Sequence, residues 1–146
     1  MPEEPSIPVV AIARDVIQEW PLASPITVTP LGGGLINETF LVESAGARWV
    51  LQRLHKIFGA EVNLDIDAVT RHLEARGVLT PRLVPTTGGA LFVARPDGVW
   101  RLQTFISGHT FHRLARPAMA EAAGALVARF HAALADLADS FHFRRA

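Results

Sequence analysis

The chain contains no cysteine. Disulfides, thiolate nucleophiles and thiolate metal sites are therefore excluded. It also lacks an excess of either charge, since 14 Lys+Arg meet 14 Asp+Glu. Proteins that bind nucleic acid displace counterions from phosphates with a basic surplus, so no nucleic-acid partner is expected. The opening residues Met1-Pro2-Glu3-Glu4 are acidic where a secretory leader is basic, and no apolar core of a leader follows. No segment approaches the roughly 18 uninterrupted apolar residues of a membrane span. These absences together set the expectation of a cytoplasmic chain with no membrane segment. Three catalytic patterns are missing as well. None of the six histidines falls into H-E-x-x-H or another zinc spacing, no G-x-x-x-x-G-K-[ST] loop occurs, and there is no G-x-S-x-G elbow.

What is present is enough for a folded domain. The 146 residues are 49% apolar and 19% charged, a balance that fills a core and argues against disorder. Pro8 suits a first helical turn, and Val9, Ile12, Val16 and Trp20 recur at helical intervals before Pro21 stops them. Pro25 to Leu31 alternates in the manner of a half-buried strand, as do Glu38–Val42 and Arg48–Leu54, with turn composition at Ser44-Ala45-Gly46-Ala47. From Val62 to Arg76 the period becomes helical, with Val62, Ile66, Val69 and Leu73 in one stripe and Gly77 as a stop. Strands at Ala90–Ala94 and Val99–Ile106 flank Arg95-Pro96-Asp97-Gly98, which has the chemistry of a tight turn. A long helix is expected from Pro117 to Leu137. The pattern predicts an α+β fold: a five-stranded, mostly antiparallel sheet with one helix inserted after the third strand.

Several residues in this pattern could carry chemistry. Gly32-Gly33-Gly34-Leu35-Ile36-Asn37 nearly matches G-x-G-x-x-G, and strand-like residues follow it instead of a helix. A strand–glycine–strand hairpin lets backbone amides approach nucleotide phosphates; the plainer reading is a flexible hairpin tip. Arg53 ends the third strand, where a cation under such a hairpin would meet α- and β-phosphates, with Gln52 on the opposite face as the neighbouring alternative. Asp65 and Asp67 stand near the front of the inserted helix, either as partners for that cation or as acids favoured by the helix dipole. Gln103 to Gly108 closes the fifth strand.

Taken in order, these segments resemble the aminoglycoside-phosphotransferase family of kinase-like small-molecule phosphotransferases. The likeness is carried by Leu31 to Phe40, Trp49-Val50-Leu51-Gln52-Arg53, Gln103 to Gly108 and Gly124 to His131. Within that family, Ile36-Asn37-Glu38-Thr39-Phe40, Val50 to Leu54 and Val69 to Leu73 look closest to the N-acetylhexosamine 1-kinase branch. The resemblance implies a protein-kinase-like N-terminal lobe holding ATP between the glycine hairpin and a hinge. Gly33, Gly34 and Asn37 would shape the phosphate cover, Arg53 would be the phosphate cation, and Asp67 or Asp65 its partner. Phe105 and Ile106 would meet the adenine edge.

The family's catalytic loop, a histidine followed two residues later by an aspartate, has no counterpart in the sequence. His55, His72, His109, His112, His131 and His142 are each followed at that distance by another residue type. The organisation implied is a helical segment over 1–24, an ATP-binding lobe over 25–108, and a linker and helix over 109–146 that lead to an absent C-terminal lobe. Catalysis by this chain alone is then not expected, and Mg²⁺ belongs to a full-length enzyme with its small-molecule acceptor. Self-association through the apolar face of helix 117–137 is expected if that face is open to solvent. Two other readings stand beside this one: a non-catalytic nucleotide-binding or interaction module, and an unrelated α+β binding domain.

Overall fold

The alternation between residues 26 and 53 builds three consecutive strands. In the computed structural model, which describes residues 8–32 and 36–144, β1 is Ile26–Pro30, β2 Glu38–Ser44 and β3 Ala47–Arg53. Ahead of them α1, Val9–Val16, runs into a short 3-10 turn at Ile17–Glu19. After them come α2 at Val62–Ala75, β4 at Val93–Arg95, β5 at Gly98–Thr104 and α3 at Pro117–Leu134. All pairings are antiparallel, in the order β1-β2-β3-β5-β4. This is the five-stranded sheet with an inserted helix that the pattern implied. The β2–β3 connection is a tight turn in which Ala45 and Gly46 have φ of 49° and 76°, the left-handed pair that matches the twist of a hairpin.

Register divides the sheet into two unlike faces. Phe40 is opposite Leu51, and Leu51 is opposite Leu102. Since successive side chains alternate, Val28, Phe40, Val42, Leu51, Trp100 and Leu102 share one face. They form the core with Ala13, Val16, Ile17 and Trp20 from the N-terminal helical segment. The helical stripe read from the sequence therefore widens to include Ala13 and Ile17. The Trp20 indole N–H donates to Val84 O at 2.8 Å and fastens that segment to the chain entering β4.

The other face belongs to α2. Its buried positions are Asn63, Thr70 and Leu73, and the apolar stripe of Val62, Ile66 and Val69 lies on the shoulder beside them, half-buried. Several boundaries differ from the sequence reading, two of them by three residues. The fourth strand begins at Val93 and not at Ala90 because Thr86 captures Ala90 in a local turn: Thr86 N donates to Ala90 O at 2.7 Å and Ala90 N to Thr86 Oγ1 at 3.0 Å. The long helix ends at Leu134 because its last turn tightens, with Leu137 N donating to Leu134 O at 3.0 Å. Leu126, Val127 and Phe130 on α3 are exposed.

Candidate functional site

The sheet face that carries α2 also runs from the glycine hairpin to the end of β5. Gly33 and Gly34 lie outside the described residues. The hairpin's edges are defined: Leu31 N donates to Thr39 O at 2.9 Å, and the Asn37 side-chain oxygen accepts from His55 N at 2.9 Å. Asn37 thus ties the hairpin to the exit of β3. At the far end Thr104 is the last residue paired with β3. It is pinned from its other side, with Thr104 N donating to Arg82 O and Arg82 N to Thr104 Oγ1, both at 2.9 Å. Phe105 and Ile106 follow just past the ladder. Phe105 is half-buried beneath the Arg48 guanidinium, 4.3 Å from its ring, while Ile106 is exposed.

Arg53 is not where the expected pairing needs it. It is two residues after Leu51 and so lies on the α1 face, with its guanidinium 5.6 Å from the Trp100 ring. It is paired with Glu38 and lies 3.8 Å from Asp97. Gly98, at φ 141°, leaves room for it: a Cβ there would come within 3.2 Å of the Arg53 side chain. Asp67 is across the sheet on α2, 3.6 Å from Arg71 and 3.5 Å from Arg82. The structure brings neither Asp65 nor Asp67 to Arg53. The physical reason is the two-residue period of a strand, which puts Arg53 and α2 on opposite faces.

Asp65 instead receives His142 and Phe143. Its carboxylate accepts from His142 N at 2.8 Å and Phe143 N at 2.7 Å, with His142 Nδ1 at 3.0 Å. Partial burial pushes the Asp65 carboxyl up, but these hydrogen bonds and the nearby imidazole outweigh it, and the net pKa lies below the ordinary value. A depressed carboxylate pKa gives stability that is present above the unfolded-state pKa and lost as pH falls through the folded one. The contact of residues 142 and 143 with α2 should therefore persist through neutral and mildly acidic pH and open only below the usual carboxylate range. Hydrogen exchange at the His142 and Phe143 amides checks this. Protection should vanish in Asp65→Asn at neutral pH, and protection that survives the substitution would refute the contact.

A buried cation does lie on the α2 face: Arg101, which the sequence reading did not single out. It sits between Trp100 and Leu102 on β5, opposite Gln52 of β3, and is 9% exposed. Its Nε and Nη2 donate to Gln52 Oε1 at 3.1 and 2.8 Å, and its Nη1 donates to Asn63 Oδ1 at 3.3 Å. Gln52 Nε2 in turn donates to Thr39 Oγ1 at 3.3 Å. One polar row thus crosses the sheet from the foot of the hairpin through Thr39, Gln52 and Arg101 to Asn63 on α2. Burial lowers the Arg101 pKa from its ordinary value, yet an arginine stays protonated in such surroundings. The signal available in sequence was a charge set between the apolar Trp100 and Leu102. No group of three or more His, Asp or Glu side chains that could hold a metal ion occurs among the described residues. None of their helices is long and apolar enough to cross a membrane.

With this arrangement in hand, comparison with known proteins is decisive at the family level. The sequence pattern of the phosphotransferase enzyme family matches residues 27–146. The chain belongs to that family. Among solved structures, this family member is similar to an aminoglycoside phosphotransferase from Alicyclobacillus acidocaldarius, with a TM-score of 0.66 and 20% identity over 90% of this chain and 36% of that one. A microcompartment-associated aminopropanol kinase matches with a TM-score of 0.53 and 21% identity, over 69% of this chain and 33% of that one. A spectinomycin phosphotransferase in complex with ADP and spectinomycin matches with a TM-score of 0.56 and 12% identity, over 86% and 37%. At these identities the likeness is one of fold, that of a kinase-like N-terminal lobe. The chain spans about a third of the length of the solved structures it matches.

Proposed function

We propose that this chain is the nucleotide-binding lobe of an ATP-dependent small-molecule phosphotransferase. The observation that carries the reading is the path of one sheet face. It leads from a strand–glycine–strand hairpin, across a polar row that contains a buried cation, to a strand end at Phe105 and Ile106. A triphosphate needs donors and positive charge at one end, and an adenine needs backbone groups beside apolar surface at the other. The hairpin strands, the polar row and the end of β5 follow one another on one face in the order that such a ligand would need. Gly33, Gly34 and Asn37 belong to the phosphate cover in this reading, and Phe105 and Ile106 to the adenine edge.

The acceptor we take to be an amino sugar, supported by the segments around Ile36–Phe40 and Val50–Leu54 that look like the N-acetylhexosamine 1-kinase branch. Transfer by these 146 residues alone is not expected, because no histidine stands two residues before an aspartate. The exposed Leu126, Val127 and Phe130 support self-association through α3.

Calorimetric titration tests the central claim. ATP should bind the chain, and incubation with ATP, Mg²⁺ and N-acetylhexosamine should yield no phosphosugar. Absence of ATP binding would refute the nucleotide reading, and turnover would refute the inactive-lobe reading. Light scattering on the same sample should report more than one chain per particle, and a monodisperse monomer would set self-association aside.

A further inference from the structure

We propose that Arg101 on β5, and not the arginine that ends β3, supplies the positive charge for the nucleotide's phosphates, with the Gln52 amide as the donor in front of it. The inference rests on the nucleotide reading above and names the residues that would perform it.

A guanidinium removed from water needs an anion or a full set of acceptors. The ion pairs among the described residues give Arg53, Arg71, Arg76, Arg82 and Arg95 a carboxylate each. Arg101, buried to 9% exposure, meets two amide oxygens only. Its charge is held in place and left without a counterion among the described residues. Such a cation raises the local potential for an incoming anion far more than an arginine already beside acids.

The direction in which that potential can act is set by Gln52. Two Arg101 donors converge on its Oε1. This fixes which end of the amide faces the cation and turns Nε2 toward Thr39, at the foot of the hairpin. A phosphate lying beneath the hairpin would therefore meet the N–H₂ of Gln52, with the Arg101 charge directly behind it. Asn63 closes the row from α2 and holds the guanidinium against lateral movement. Arg53 is poorly placed for the same task, since it lies on the opposite face and is already matched by Glu38 and Asp97.

The experiment compares ATP with adenosine, because the two share the base and sugar and differ only in the phosphates. Both are titrated calorimetrically against the full chain in the presence of a chelator. The unaltered protein should favour ATP. In Arg101→Gln adenosine binding should persist, which also reports that the site is folded. The preference for ATP should drop by about 10- to 100-fold, the range expected for losing a hydrogen-bonded charge. Should Arg101→Gln lose adenosine as well, Gln52→Leu decides: a fall in the ATP preference supports the arrangement, and an unchanged preference overturns it. A preference that survives Arg101→Gln, or that disappears in Arg53→Gln instead, also overturns it. If the unaltered protein binds neither ligand, the nucleotide reading itself fails.

Discussion

Replacing Trp100 with alanine should destabilise the folded chain by about 3–5 kcal/mol, the range for truncating a large buried aromatic. Trp100 is fully buried. Its ring lies 6.1 Å from that of Phe40 in the layer between the sheet and the N-terminal helix. Its indole N–H donates to Asp97 Oδ2 at 2.8 Å and so closes the β4–β5 turn. Arg53 lies over the same ring. Alanine would leave a cavity beneath three strands, strip the turn of a hydrogen bond and remove the surface on which Arg53 rests. A domain of this size has only about 5–15 kcal/mol of total stability, so the loss would be a large share of it. Trp100→Phe keeps a ring and should cost less than half as much. Urea unfolding followed by circular dichroism measures both. A loss below about 1 kcal/mol for the alanine variant would show that the site collapses without a cavity, against the packing described.

The strands and helices were legible because each obeys one dominant rule. Residues 26–54 alternate, residues 62–76 repeat at helical spacing, and Pro-Asp-Gly marks a turn, so neighbouring signals agree. The site was less legible, and Arg53 shows why. Alternation says that Gln52 and Arg53 face opposite ways, but not which of the two faces α2 covers. That is decided only when β5 pairs with β3 and sets Leu102 against Leu51, which commits Leu51 and Arg53 to the α1 side. The buried surface of α2 was hidden for a related reason. Asn63 and Thr70 are polar, so a search for apolar periodicity finds the shoulder of the helix and passes over these two buried positions, of which Asn63 reaches Arg101 on the sheet. Arg101 escaped notice because a lone charge in a strand is ordinarily a solvent-facing one. Only its three hydrogen bonds to amide oxygens reveal a buried cation held in place.

That buried row makes a second prediction with a large effect and a non-additive pattern. Asn63→Leu should cost about 3 kcal/mol and Arg101→Met about 1–3 kcal/mol, whereas the two together should leave stability within about 1 kcal/mol of the unaltered chain. Asn63 is fully buried, bridging Arg101 and, through its own Nδ2, Ala60 O at 2.9 Å. Leucine there would strand a buried guanidinium donor without an acceptor, and the unmet charge is what makes the substitution costly. Methionine at 101 removes the charge, and its flexible thioether can fill the space of the arginine stem, but alone it leaves the buried Asn63 Oδ1 and the Gln52 Oε1 without this donor. The double variant should recover most of the loss seen in Asn63→Leu, because the unmet donor is then gone. Chemical denaturation of the two single variants and the double gives the coupling directly, and a double variant as unstable as Asn63→Leu alone would sink the account. If the pattern holds, the Arg101–Asn63 pair is one that the fold would be as stable without. A buried cation that adds nothing to stability, on the face that leads from the hairpin to the end of β5, is what the proposed phosphate site requires of Arg101.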